Sequence, residues 1–332
     1  MEGYKLFATG EKLKVGEGQV CQSLVNATEG KLFIIAKRIG RLANRLTLFA
    51  NFIAYAEEYG HSLVNTAFYD DAHFFDTTCR DVCWQYPEGR NRRINCITPG
   101  IAGVIRRSQI IYQTAKTFAR LNERYPVFGK RVVTLRDIEE TITMLEGAAV
   151  RSRIASASVV LIHGWNFRAP KPLKSHSGKI RRFFRPKNEY LAKGRLIVDH
   201  LRLNSDIVVG VHVRHGDYAL FRDGKYFFST SRYASWMHEL REQFPGKKVS
   251  FLVCSDEQRH ESEFPMLPVC FGPGTPMGDL YALAECDYIM GPLSTFSQWS
   301  SYYGAKPLLL LQGENEHPDL ENFRISWLDD VP

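Results

Sequence analysis

No run of apolar residues in this chain approaches the roughly 18 to 20 positions that a bilayer-crossing helix needs. The opening MEGYKLFATGEKLKVGEGQ likewise lacks the apolar block of a secretory leader, mixing charge and glycine instead. These two absences predict a soluble, cytoplasmic protein. Seven cysteines stand at Cys21, Cys79, Cys83, Cys96, Cys254, Cys270 and Cys286, with no C-x-x-C pair and no histidines at zinc spacing. That excludes a recognisable zinc module and predicts reduced, mostly buried thiols, with Cys79, Cys83 and Cys96 the one local cluster. There is no internal repeat and no low-complexity tract. No D-x-D tripeptide occurs, so a close carboxylate pair of that form for a divalent ion is missing, and no metal is expected.

What is present is globular. Of the 332 residues, 44% are hydrophobic and 24% charged, which excludes a disordered chain, and the length favours two domains or one large α/β unit. The net charge of +7 suits an anionic partner. It is unevenly placed: RAPKPLKSHSGKIRRFFRPK, Arg168 to Lys187, gathers cations around Phe183 and Phe184 with no acidic residue. This stretch reads as a solvated face, as a peripheral contact with the inner face of a membrane, or as a docking site for an anionic acceptor. No nucleic-acid-binding module is recognisable, so no nucleic-acid partner is expected.

Along the chain, Lys31 to Ala36 reads as a buried strand, Arg38 to Arg41 as a glycine turn, Leu42 to Tyr59 as a helix closed by Gly60, and Ser62 to Asn65 as a second strand. Strand, turn, helix, strand is the signature of a parallel α/β unit. Asp70 to Gly100 shows no period, and the next clear strand is Ala157 to Ile162. The basic Pro-containing connector that follows marks a domain boundary, giving 1–185 and 186–332. Beyond it, Lys187 to Leu203 reads as a helix with Leu191, Leu196, Ile197 and Leu201 on one side. Strands are then predicted at 207–213, 249–254, 268–271, 288–290 and 307–311, and helices at 232–244, 279–285 and 295–303: a second doubly wound unit.

Two stretches carry chemistry. In VVGVHVRHGDY, Val208 to Tyr218, a run of β-branched residues ends in His212, Arg214, His215 and Asp217. Alternation puts His212 and Arg214 on one face, and an arginine closing a buried strand needs an anion: either Asp217, as a salt bridge, or a ligand phosphate. In GDLYALAECDYIMGPLSTFSQW, Gly278 to Trp299, Gly291 and Pro292 end a strand, and Ser294 or Thr295 caps a helix whose free N–H groups can meet a phosphate. His212, Arg214, Asp256 and Ser294 all fall at the carboxyl ends of strands, where such sheets bind ligands.

These residues carry a resemblance. HVRHGDY resembles the HVRRGDY box of glycosyltransferase family 11, the α-1,2-fucosyltransferases. DLYALAECDYIMGPLSTFSQW is similar to that family's D-x-Y-x-L-x-x-C block ending S-S-F-S-W-W, and RIGRLANRLTLFANFIAYAEEYGH looks like its opening G-L-G-N-Q-x-F turn and helix. The resemblance implies a GT-B fold, two Rossmann-like domains facing across a cleft, with GDP-fucose as donor and a glycan or lipid-linked oligosaccharide as acceptor. By that resemblance His212 and Asp279 would meet the guanine, Arg214 the β-phosphate, and Ser294, Thr295 and Phe296 would complete the phosphate pocket. Asp256 matches the family's acidic position, and Gly40 and Asn44 would face the donor from the other domain. The chain departs from the pattern at His215, which replaces the second arginine, at Arg45, which replaces the glutamine, and at Gln298, which replaces a tryptophan.

An inverting, metal-free transfer is therefore expected, with Arg214 and a helix end stabilising the departing GDP. Candidates for the base are Asp217, then His215, then Asp223, beside a mechanism with no dedicated base. Transfer from another GDP-sugar, or a catalytically silent nucleotide- or carbohydrate-binding protein on the same fold, stands as the alternative.

Overall fold

A computed structural model describes residues 30–79, 81, 83–88, 109–137 and 141–329. The expectations for the opening segment, and for Cys21 and Cys96, lie outside those residues.

The first apolar run forms β1 (Leu32–Ile35), and alternation sends Phe33 and Ile35 to one layer and Ile34 to the other. Gly40 follows with φ +62°, where any side chain would collide with Asn44, so the turn into α1 (Leu42–Tyr59) requires glycine. Gly60, also left-handed, ends that helix, its N–H donating to Ala56 O. Then come β2 (Ser62–Asn65) and β3 (Gln85–Tyr86), followed by α2 (Ile110–Arg124), β4 (Val132–Leu135), β5 (Thr143–Met144), α3 (Ala148–Ile154), β6 (Val159–Ile162) and β7 (Phe167–Arg168). The first sheet has the order β3-β2-β1-β6-β4, parallel except where β3 runs against β2.

The basic stretch is not an open connector. Pro170 starts one short helix, α4 (Pro170–Ser175), and α5 (Ser177–Phe183) follows directly. Phe183 and Phe184 are interior, packed edge-on against Phe49, and Arg181 donates to Tyr302 O. The aromatic half of the expected membrane contact is therefore unavailable. Helix α6 (Asn188–Arg202) buries Leu191, Val198 and Leu201, but Leu196 is 73% exposed. Five residues past Leu191 is a rotation of about 140°, which carries Leu196 to the opposite face.

The second sheet follows: β8 (Ile207–Val213), α7 (Thr230–Glu242), β9 (Val249–Ser255), β10 (Val269–Phe271), α8 (Pro276–Glu285), β11 (Tyr288–Pro292), α9 (Thr295–Gly304) and β12 (Leu308–Leu311). Its order is β10-β9-β8-β11-β12, all parallel. Val209, Val211 and Val213 pack beneath Trp236 and Met237, while Val208 meets Leu283 and Cys286 on the other face. Winding reverses between β8 and β11, and the carboxyl ends there form the crevice in which such sheets bind ligands.

One core joins the halves. Trp299, Tyr302 and Tyr281 of the second half lie in the same cluster as α1 and β1, and Phe184 meets Trp299 edge-on at 5.2 Å. Phe184→Ala should lower stability by about 3–5 kcal/mol in urea unfolding, the cost of an emptied aromatic site. A loss below about 1 kcal/mol would show that the ring does not tie the halves together.

Candidate active site

At the switch point β11 approaches β8 closely because Gly291 has no side chain: a Cβ there would lie 2.9 Å from His212 Cβ. His212 is buried, its Nδ1 2.8 Å from Ser297 Oγ and its ring 4.8 Å from Phe296. Burial, reinforced by the nearby Arg214 charge, pushes its pKa down to about 3, so the imidazole is neutral.

Arg214 stands just past the strand end with its side chain 13% exposed. Its guanidinium donates to Asp217 at 2.5 Å and pairs with Asp256 at 3.1 Å, and it covers the Tyr218 ring at 5.4 Å. Asp256 also accepts from the His215 backbone N–H at 3.0 Å, and Gly216 is required beside it because a Cβ would strike the carboxylate. Tyr218 donates to Leu293 O at 2.8 Å, fastening this loop to the strand-to-helix corner. From the other half Arg41 reaches Asp217 at 3.2 Å. Arg41, Asp217, Arg214 and Asp256 thus form an alternating row of charges from one half to the other.

Ser294 caps α9, accepting from Phe296 N–H at 3.2 Å, and Thr295 Oγ1 donates to Asn44 Oδ1. The Gly40 turn and the amino end of α9 therefore touch. Arg45 is buried and donates twice to the Asp71 carboxylate and once to Gly40 O. Arg45 thus clamps the turn rather than facing the crevice. Asp279, in the first turn of α8, accepts from Gly274 N–H at 2.9 Å and lies against Cys254, which pairs with His212 in register. Burial raises its pKa to about 6.

His215 turns away. Its Nε2 bonds Phe228 O at 2.7 Å and its Nδ1 bonds an Arg259 guanidinium nitrogen at 2.7 Å. A carbonyl only accepts and a guanidinium only donates, so Nε2 carries the hydrogen and Nδ1 the lone pair. Both nitrogens are occupied, and neither serves as a base in this arrangement. Asp223 sits in an exposed turn at φ 56° and makes no ion pair with this row among the described residues. Arg41, Tyr218 and Arg259 escaped the sequence reading. Arg41 adjoins the glycine turn and Tyr218 closes the HGDY box, so both lay within marked motifs, but nothing in the sequence links Arg259 to His215.

No family model matches the chain, and none of the curated proteins is significantly similar to it in sequence. Among solved structures it is similar to a mutant of Arabidopsis thaliana FUT1 in complex with GDP, at 13% identity, covering 92% of this chain and 76% of that one with a TM-score of 0.52. The Bradyrhizobium fucosyltransferase NodZ is also similar, at 16% identity, with 89% and 97% covered and a TM-score of 0.49. The fold is of the GT-B type, two Rossmann-like α/β halves whose carboxyl ends face each other.

Two predictions follow from these buried groups. Between roughly pH 4 and 6 the unfolded chain holds a proton on His212 that the folded chain lacks, and the folded chain holds one on Asp279 that the unfolded chain lacks. The histidine contribution is lost as pH falls and the aspartate contribution as pH rises, so the two cancel. Asp279→Asn should uncover the histidine, making stability rise with pH by about 1.4 kcal/mol per unit more steeply than in the parent over that window. Parallel slopes in urea titrations would refute the pairing. Arg45→Met leaves Asp71 buried without its cation and should cost about 3–5 kcal/mol. A near-neutral effect in thermal and urea melts would remove the clamp from the account.

Proposed function

We propose that the protein is an inverting, metal-independent glycosyltransferase that moves fucose from GDP-fucose to a sugar hydroxyl of a glycan or lipid-linked oligosaccharide. The observation that carries this reading is that Tyr218, against the Arg214 guanidinium, bonds Leu293 O beside the capped amino end of α9, so two separate sequence boxes meet at the switch point. The GDP held by the FUT1 mutant, whose fold this chain shares, supports the donor class. On this reading residues 186–332 hold the donor and residues 1–185 the acceptor.

Each residue then has a task. The Asp279 carboxylate, one strand over from the neutral His212, accepts from the guanine edge. The diphosphate meets Arg214, the Thr295 N–H group and the hydroxyl hydrogen of Ser294, whose oxygen caps Phe296 N–H, with the Phe296 ring, Gly40 and Asn44 completing the pocket. Asp256 holds Arg214 in place. As the anomeric C–O bond breaks, both electrons leave with GDP, and the growing charge on the β-phosphate meets a fixed guanidinium and a helix end. The acceptor oxygen forms the new bond from the opposite side and its proton passes to Asp217. That carboxylate is the more exposed of the two on Arg214, and a phosphate taking its place there leaves it on Arg41, facing the acceptor half. His215 and Arg259 support the loop.

The alternative, a catalytically silent binder on the same fold, makes a different prediction about the donor. GDP release from GDP-fucose separates the readings, since a silent protein binds GDP yet never produces it. Arg214→Ala should lower turnover by a factor on the order of 10² to 10³; unchanged turnover in the folded variant would sink its role. In a thermal-shift panel GDP at a hundredfold excess over its Kd should stabilise by about 2.7 kcal/mol, and UDP and ADP should not. Equal shifts from all three would remove guanine recognition from the proposal.

A further inference from the structure

Helix α2 buries only part of its surface. Tyr112, Ala119 and Asn122 face the first sheet, while Ile110, Phe118 and Leu121 are 61%, 36% and 53% exposed along an adjoining strip. The turn after the helix extends that strip: Tyr125, Val127 and Phe128 are 56%, 81% and 54% exposed, and the Phe128 ring lies 5.9 Å from that of Phe118. Backbone bonds from Val127 N–H to Tyr125 O and from Gly129 N–H to Pro126 O hold the turn, and Gly129 takes a left-handed φ of 54°. An exposed apolar strip of this kind marks an interaction surface.

Its rim is basic. Lys116, Arg120 and Arg124 follow at helical spacing, and Lys130 and Arg131 stand beyond the turn. Glu123 is the one acidic residue between Ile110 and Arg131, and it accepts from Arg136 at 3.3 Å. We infer that α2 and the Tyr125–Phe128 turn dock on an anionic lipid bilayer, with the turn's apolar side chains in the acyl boundary and the cations on headgroup phosphates. A second copy fits poorly, because a two-fold contact would set this rim against an identical one. A basic amphipathic helix with an aromatic tip is the form that lies in a membrane interface. The earlier basic stretch lacks this form, its two phenylalanines being interior. The inference does not depend on the proposed transferase activity. It does connect to the crevice: Tyr112, near the amino end of α2, accepts from the Arg38 backbone N–H at the start of the glycine turn.

The test is co-sedimentation of the full-length chain with phosphatidylcholine vesicles and with vesicles containing one part phosphatidylglycerol in about four, at low and moderate salt. Binding is expected to the anionic vesicles only and to weaken with salt. The double variant Arg124→Gln, Lys130→Gln should bind about thirtyfold more weakly, a factor of about five for each cation near the surface. Val127→Ser with Phe128→Ser should also weaken binding, and an unchanged melting temperature in both variants would show that the fold is kept. No sedimentation with anionic vesicles at low salt, or binding that survives both variants, overturns the inference. So does a doubled mass in light scattering that the serine pair abolishes, which would assign the surface to protein contact.

Discussion

A guanidinium at the end of a buried strand needs counter-charge, and the way Arg214 obtains it organises the crevice. Taking a cation partly out of water costs several kcal/mol unless carboxylates or phosphates surround it. Here Asp256, on the neighbouring strand end, and Asp217, on the following loop, supply it, and that requirement fixes the loop conformation. Gly216 follows from the same need, since the backbone must pass against the Asp256 carboxylate. Tyr218 lies under the guanidinium and bonds Leu293, so the charge site and the α9 corner are positioned together. Apolar packing of the same volume would be at least as stable. On the proposed reading, this charge at a strand end is kept because a ligand phosphate takes the place of one of the carboxylates.

The second half was legible because central parallel strands, buried on both faces, leave short apolar runs bounded by turn formers. Each of its predicted strands is present, with shifts of a residue or two at the ends. The stretch from 101 to 156 was not legible. Helix α2 divides its apolar residues between a buried and an exposed strip, so no single face stands out, and β4 is a four-residue edge strand. The basic stretch misled for the opposite reason: composition suggested a solvated connector, whereas Ile180, Phe183 and Phe184 anchor it in the core.

For the site, local motifs placed His212, Arg214, Asp217 and the Ser294 cap on one crevice, because strand alternation and capping act over a few residues. Longer-range pairings were invisible. Arg45 bonds Asp71 and His215 bonds Arg259, and neither separation carries a local signature. His215 does not stand in for the second arginine of the resembled box: a ring with a carbonyl on one nitrogen and a guanidinium on the other has no open position for a ligand. Two of the positions that differ from the resembled boxes thus have structural partners of their own. Arg45 brings its own buried counter-ion, and His215 lends its lone pair to another cation.

The connection between the halves is unequal at its two ends. Behind the crevice, α1 packs on α9, and Phe184, Trp299 and Tyr302 share one apolar core, so separating the halves there would expose several fully buried rings. At the front the links are polar: the Thr295–Asn44 hydrogen bond and the pair of Arg41 with Asp217, whose side chains are 66% and 51% exposed. An ion pair so open to water contributes about 0–1 kcal/mol. The front contacts are thus few and polar while the rear contact is apolar and extensive, so the packing of α1 on α9 is the stronger tie between the halves. On the proposed reading, a diphosphate on Arg214 would compete with Asp217 for the same nitrogen, which would tie its entry to the Arg41–Asp217 pair through a single carboxylate.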